Sequence, residues 1–586
     1  MFHISVFCQT RFLSGEDAVR NRRLAISAAV VGSLGIALVP ALAEAAQSST
    51  TQTVNTAAKS SASTFTKNRT KQFSAHSSKT AVRRSSVSAS TPNPELEVWA
   101  QAFNTSAYGV EVDLAQTGLT TGTAAVTIAW GDGSTSTATL TTADDASSED
   151  GTWVPATHAY TSFGVYNVTI TIDDGAGDTA STGGALETGS LYHAFGPTRV
   201  LDTRKGLGES KTAPIAAGGT LKLQVTGSGT GIPAGITAVV MNVTATGGTA
   251  NGALSVYGNE DAGGVPIPAD LVTTSNLNYR TGQNIPNLVV VPVGQDGVAD
   301  FYNNSKGSVG VIADVAGYFT ADSTGDQYVP ISPARILDTR KGVGASKAQI
   351  PANGSITLTV EGAASGKIPA NDVSAVAVNL TAVDSTANGV ITAYPADESL
   401  PTASNINYST GQTVANMATV PVSSTGKIVV HNTGTKPVDV IADAAGYYTS
   451  DTSAAGASAY IPSVVPERWL DTRLAGPGFA VQTGDTAGLP FATSSDEAAF
   501  VMNATVVSPT GNGFLSLYSF DPTNPNAIPG TSNLNYRTGQ TVPNLAIVAP
   551  GTNYDSDAGG YDVGLYLGGS GNAQVILDYF GEYYTD

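Results

Sequence analysis

The string "VIADVAGYF" at residues 311–319 returns as "VIADAAGYY" at 440–448 and as "VILDYFGEYY" at 575–584. In an extended chain successive side chains point to opposite faces. Val311, Ala313 and Val315 therefore share one face, and Ile312 and Asp314 the other. Both faces are apolar around a single acid, and the same holds at Asp443 and Asp578. A strand of this kind is buried, and a buried carboxylate needs a partner. Partners recur upstream in "RVLDTR" (199–204), "RILDTR" (335–340) and "RWLDTR" (468–473). Each copy holds two arginines and one more acid: Arg199, Asp202 and Arg204; Arg335, Asp338 and Arg340; Arg468, Asp471 and Arg473. A guanidinium can bridge two carboxylates, or a carboxylate and backbone carbonyls. The expectation is a structural polar lock, in which the LDTR segment packs across a sandwich onto the late-strand aspartate. The neighbouring arginines should lower the pKa of these acids, which suits ionised structural roles better than general acid work.

Asp202 and Asp338 lie 136 residues apart, and Asp338 and Asp471 lie 133 apart. Between them the same landmarks recur in the same order. A strand carries an asparagine in "VVMNVTAT", "VAVNLTAV" and "FVMNATVV" (Asn242, Asn379, Asn503). An Asn-Gly turn follows, then "SNLNYRTGQNIPN", "SNINYSTGQTVAN" and "SNLNYRTGQTVPN". A period this long is a tandem array of domains. Each unit holds seven or eight short strands between turn signals, as a β-sandwich does. The expected fold class is all-β, with one sandwich at residues 95–187 and three homologous, jelly-roll-like sandwiches at 190–322, 327–451 and 459–586. Composition agrees: charged residues are only 13% of 586, and Gly reaches 64, which suits strands and turns.

The net charge of −19 argues against nucleic acid as a partner. The one cysteine, Cys8, leaves no disulfide framework. Arg20, Arg22 and Arg23 precede an apolar run, Leu24 to Leu42, followed by two A-x-A patterns at 41–45. That reads as a signal peptide over 1–45. A retained anchor is the rival, disfavoured by Gly32, Gly35 and Pro40 within the run. No span is expected after cleavage, and the expected location is extracellular or at the cell surface. Residues 46–94 are Ser/Thr-rich and basic, with Lys59, Lys67, Arg69, Lys71, Lys79, Arg83 and Arg84 and no acid. They read as a disordered spacer, or as a tether touching an anionic wall.

Residues 95–187 alternate in period two around Trp130-Gly131-Asp132-Gly133, Thr157-His158-Ala159-Tyr160, Gly164 and Tyr166. These strings resemble PKD-type domains, which implies an immunoglobulin-like sandwich serving as a spacer or adhesion module. Trp130 and Tyr166 suit its core, and His158 reads as a core or turn residue in preference to a metal ligand. The threefold set "RxLDTR…NVT…SxLNY…DxxGYF" over roughly 190–586 resembles a repeat of secreted actinobacterial and acidobacterial proteins. That resemblance implies an extracellular accessory role and no catalytic residues.

One more recurring set could hold a ligand. Asn276 and Asn278 share a face in "SNLNY", with Leu277 and Tyr279 on the other. They brace loop backbone or, with Tyr279, Arg280 and Gln283, offer aromatic, amide and guanidinium groups to a glycan. The counterparts are Asn405, Asn407 and Tyr408 in the second unit, where Ser409 replaces the arginine, and Asn533, Asn535, Tyr536 and Arg537 in the third. No nucleophile elbow, H-E-x-x-H or P-loop occurs. Asp173, Asp174 and Asp178 could meet calcium but lack EF-hand spacing and read as a solvated turn, so no cofactor is expected. The reading is a secreted, non-enzymatic, cell-surface or wall-associated binding or structural protein. Its partners would be a wall polysaccharide, another glycan or a surface protein. The alternative is a secreted glycan-processing enzyme with an unrecognised carboxylate site, which calls for one cleft with unit-specific acids. Three units could act as separate weak binders with avidity, or pack about a pseudo-threefold axis like a trimer fused into one chain.

Overall fold

The computed structural model describes residues 71–76 and 96–585, with breaks at 121, 148–151, 210, 262, 475–478, 493–494, 552–553 and 556–559. The leader and most of the basic spacer lie outside the described residues. Among those described there are strands and two short 3-10 turns, with no α-helix and none long and apolar enough to cross a membrane. The protein is all-β.

The first sandwich pairs Glu97–Asn104, Gly109–Thr117 and Val154–Ala159 in one sheet, and Thr135–Thr141, Thr123–Ala129, Val165–Asp173 and Thr179–Glu187 in the other. Trp130 is fully buried between them. The expectation of a spacer without structure over 46–94 needs correction at Lys71–His76, which adds an antiparallel strand along Glu97–Asn104. An open sheet edge offers unpaired backbone groups that even a polar segment can use.

The next unit holds eight strands: β1 (Leu191–Asp202), β2 (Thr220–Gln224), β3 (Ile236–Thr246), β4 (Gly252–Gly258), β5 (Leu277–Tyr279), β6 (Ile285–Pro292), β7 (Val298–Ser305) and β8 (Gly310–Thr320). They form two sheets, ordered β1-β8-β3-β6 and β2-β7-β4-β5. This is the jelly-roll arrangement. The second and third units repeat both orders, the third adding two short strands, Val481–Gln482 and Tyr554–Asp555.

Every residue of β3 is buried, which a sheet with one wet face does not allow. The alternation explains it. Val239, Met241, Val243 and Ala245 enter the core of their own sandwich, while Ala238 and Val240 face a second core. That second core draws on all three units: Leu288 and Val290 meet Ala375, Ala377 and Met417, and Val501, Leu545 and Ile547. The three β1-β8-β3-β6 sheets thus surround a common pseudo-threefold axis, and in each the strands β3, β6 and β8 are buried on both faces while the middle of the edge strand β1 is half-buried. Aromatic pairs cross between units at one end: Tyr192 with Tyr448 at 4.0 Å, Tyr328 with Tyr583 at 4.5 Å and Phe319 with Tyr460 at 4.7 Å. The opening strands join there through backbone bridges Ser190↔Tyr460, Tyr192↔Asp326 and Tyr328↔Ser458.

This packing accounts for the glycine of "D-x-x-G". A Cβ on Gly317 would lie 2.2 Å from the Tyr192 ring, and one on Gly446 would lie 2.2 Å from the Tyr328 hydroxyl. Each glycine seats the tyrosine that opens its own unit. The tyrosine hydroxyl then donates to a carbonyl one residue back, Ala316 at 2.6 Å and Ala445 at 3.1 Å. The first sandwich docks at this end of the axis. Ala107, Phe163, Leu191, Ala459, Ile461 and Tyr584 form its contact cluster, and Ala107 N–H donates to the Thr585 carbonyl at 3.1 Å.

Candidate functional site

In each unit the first arginine of the motif meets the late-strand aspartate. Arg199 Nε donates to Asp314 Oδ1 at 2.7 Å and Nη2 to Oδ2 at 3.1 Å. Arg335 repeats this on Asp443 at 2.8 and 3.1 Å, and Arg468 on Asp578 at 2.8 and 3.3 Å. The expected geometry needs two corrections. The pair does not cross the sandwich, because β1 and β8 are neighbours in one sheet and Arg199 stands opposite Asp314 in register. The second arginine is not part of it. Arg204 forks onto its own Asp202 at 2.8 and 2.8 Å, and Arg340 and Arg473 do the same with Asp338 and Asp471. Two residues apart in a turn, that pair closes locally. The threonine between them takes the next strand: Val311 N–H donates to Thr203 Oγ1 at 2.9 Å, with Val440–Thr339 and Val575–Thr472 equivalent.

The two acids of each unit also part company in pKa, and the expectation of uniformly lowered values is corrected. Hydrogen bonds from Arg204 and Arg340 hold Asp202 and Asp338 low. Burial pulls Asp471 up, but the hydrogen bonds from Arg473 outweigh it and its value is lowered. Burial raises Asp314 and Asp443 despite their arginines, and pushes Asp578 up to about 6. Desolvation of a carboxylate between packed sheets exceeds what one guanidinium returns.

The free edge of each of these half-buried guanidiniums leaves its own unit. Arg199 Nη2 donates to the Thr402 carbonyl of the second unit at 2.8 Å, Arg335 Nη2 to Gly530 of the third at 3.4 Å, and Arg468 Nη2 to Thr273 of the first at 3.4 Å. The strand asparagines point the same way. Asn242 donates to the Ser404 carbonyl, Asn379 to Ser532 at 2.7 Å and Asn503 to Ser275 at 2.7 Å. Each receives an amide from the neighbour: Asn416 to Asn242 at 2.8 Å, Asn544 to Asn379 at 2.9 Å and Asn287 to Asn503 at 2.9 Å. First to second, second to third and third back to first, the contacts run head to tail and close a ring.

The proposed ligand face over "SNLNY" is corrected by this ring. Tyr279, Tyr408 and Tyr536 are buried in their own sandwich cores. Tyr279 and Tyr408 donate to Asn303 and Asn432 at 2.6 Å. Asn276, Asn405 and Asn533 accept the backbone N–H of Val256, Ala393 and Leu517 at 2.6, 2.7 and 2.6 Å. Asn278, Asn407 and Asn535 are half-buried beside them. Gln283 caps the N–H of Arg280 at 3.0 Å. Arg280 reaches the Gly539 carbonyl and Arg537 the Gly411 carbonyl, so both arginines cross seams. Period two told which residues share a face, but not that the face meets another unit. The partner asparagines, Asn287, Asn416 and Asn544, escaped sequence reasoning; their signal was the last letter of the recurring "SNLNYRTGQNIPN" string.

His158 stacks on Trp130 at 4.8 Å, and its Nε2 lies 2.8 Å from Asp132 Oδ2. Hydrogen bonds from Ser134 hold Asp132 down to about 2, with His158 adding to them. Asp132 thus organises the Gly-Asp-Gly turn. Asp173 and Asp174 accept N–H groups of their own turn, from Gly175 and Ala176 at 2.8 Å each. Among the described residues no group of three or more His, Cys, Asp or Glu is poised to hold a metal ion.

No protein-family model and no curated protein matches the chain. Solved structures with some likeness include Sulfolobus Turreted Icosahedral Virus (6% identity, 72% of this chain and 90% of that one, TM-score 0.15). Another is the N-terminal tandem CBM22 domain of a Paenibacillus barcinonensis protein (13%, 44% and 93%, 0.14). A third is described as the triple jelly roll fold and turret assembly in an archaeal virus (7%, 72% and 90%, 0.15). Likenesses at these TM-scores assign nothing to this chain. The class is defined by its own topology: an N-terminal β-sandwich on a body of three fused jelly rolls.

Proposed function

We propose that the protein is an extracellular, non-enzymatic surface protein whose three-unit body is a rigid platform carrying the N-terminal sandwich. The observation that supports this reading is the use of the recurring polar set. Arg199, Arg335 and Arg468, with Asn242, Asn379 and Asn503, make hydrogen bonds from one unit to the next, which favours a joined body over three separate weak binders. These arginine–aspartate pairs lie opposite one another in register on neighbouring strands, which suits a role in positioning the strands. The PKD-like features of residues 95–187 fit an adhesion or spacer module. The glycan-processing alternative calls for unit-specific acids in a cleft, and no observation favours it.

Purified cell walls and wall polysaccharide, incubated with the chain from about residue 46, test the proposal. Retention on the walls without release of soluble reducing sugar is the expected result. Release of sugar, or no retention on any wall fraction, would overturn it.

A further inference from the structure

The sheet of the first sandwich that holds Glu97–Asn104 buries Val98, Ala100 and Ala102 in the core, which turns Trp99 and Gln101 to its other face. A cavity of about 380 Å³ opens there, lined by Trp99, Gln101, Thr117, Ser147 and Trp153 with two alanines. That volume falls in the range of small-ligand sites. Its walls are held from several directions. Gln116 N–H donates to the Asp144 carbonyl and Ala146 N–H to the Gln116 carbonyl, each at 2.8 Å, which fixes the loop carrying Ser147. Thr152 N–H donates to the Ala143 carbonyl at 3.0 Å, just before Trp153. Trp99 Nε1 donates to Thr117 Oγ1 at 3.3 Å, and Thr117 to Glu97 Oε2 at 3.1 Å, which pins the indole. Both tryptophans are half-buried, and neither stacks on another ring among the described residues. The amide of Gln101 and the indole N–H of Trp153 find no protein hydrogen bond among the described residues.

Two indole faces left unstacked, with an amide and an N–H beside them, match one ligand chemistry. A pyranose ring presents an apolar C–H face to stack on indole and a rim of hydroxyls to accept and donate hydrogen bonds. The lining carries no lysine or arginine, and the chain bears a net charge of −19. An anionic sugar would therefore be repelled.

We infer that the Trp99–Trp153 cleft of the N-terminal sandwich binds a neutral glycan by stacking pyranose rings on indole. This rests on the reading of the protein as a surface binder and names the site that would do the binding. The test uses the chain from about residue 46 with insoluble cellulose, chitin and mannan, alongside purified cell walls. Retention on at least one neutral glycan is expected. Trp153→Ala should weaken it at least tenfold and Gln101→Ala severalfold, with melting temperatures unchanged, while Trp153→Phe restores most of it. Trp99 supports the sheet as well, so Trp153 and Gln101 are the informative positions. Equal retention of wild type, Trp153→Ala and Gln101→Ala would overturn the site. Binding to cell walls without binding to any neutral glycan would also overturn it, while leaving the surface-binding reading intact.

Discussion

The three seams of the ring are built from one pattern, yet one of them is incomplete. Between the second and third units Met417 N–H donates to Asn544 Oδ1 at 2.9 Å, and between the third and first Leu545 N–H donates to Asn287 Oδ1 at 3.0 Å. Between the first and second units the equivalent acceptor, Asn416 Oδ1, is buried without a partner. The same seam lacks the crossing arginine. Arg280 and Arg537 each reach a carbonyl in the adjacent unit, whereas Ser409 stands where the third such arginine would be. A buried acceptor left unmade costs about 1–3 kcal/mol. Two seams therefore make both of these contacts and one makes neither, and that seam is where the ring should open first.

The largest effect that would break this comparison is expected at the buried pairs. Arg335→Met strands Asp443 between sheets and should cost about 3–5 kcal/mol, read by urea unfolding. Gly446→Ala drives a methyl into Tyr328 and should cost about 1–3 kcal/mol by the same measure. Ser409→Arg sharpens the comparison in the other direction. It should restore the missing seam contact and raise stability by about 0.5–1 kcal/mol, whereas Arg537→Ser should lower it by a similar amount. Arg204→Met removes two hydrogen bonds from the buried Asp202, but Arg204 is itself 49% exposed and Arg199 Nη1 remains 3.7 Å from that acid, so the cost should stay at about 1 kcal/mol, well below that at Arg335.

The acids add a pH signature with two signs. Asp202, Asp338 and Asp471 have lowered values, so their contribution is present above the unfolded carboxylate pKa and is lost only as pH falls below it. Asp578, held at about 6 against an ordinary 3.8, works the other way. Its ionised form costs stability at neutral pH, and that cost is relieved as pH falls through 6 toward 4. Compared with Asp578→Asn, the wild type should therefore gain stability between pH 7 and pH 5 in urea titrations. A flat difference would show that Asp578 titrates normally.

Much of this was legible in the residues. The alternation of "VIADVAGYF" marked a strand apolar on both sides, and the recurring arginines marked the partner of its acid. What alternation cannot supply is the identity of the second surface. Asn276 and Asn278 sit on a face that alternation leaves polar, which reads as solvent or ligand until the third unit is laid against it. The choice between Arg199 and Arg204 as partner of Asp314 was likewise set by register, with Arg199 opposite the acid and Arg204 two residues past Asp202 in a turn. The Trp99–Trp153 cleft was invisible because its two tryptophans lie 54 residues apart and meet only through the sheet.

The central claim is that the three jelly rolls are one locked body and not separate beads. Calorimetry of the chain with and without Arg468→Met tests it most directly. The account predicts a single transition spanning all three units in the wild type, moved as a whole to lower temperature by the substitution. Separate transitions, with only the third unit's shifted by Arg468→Met, would contradict it.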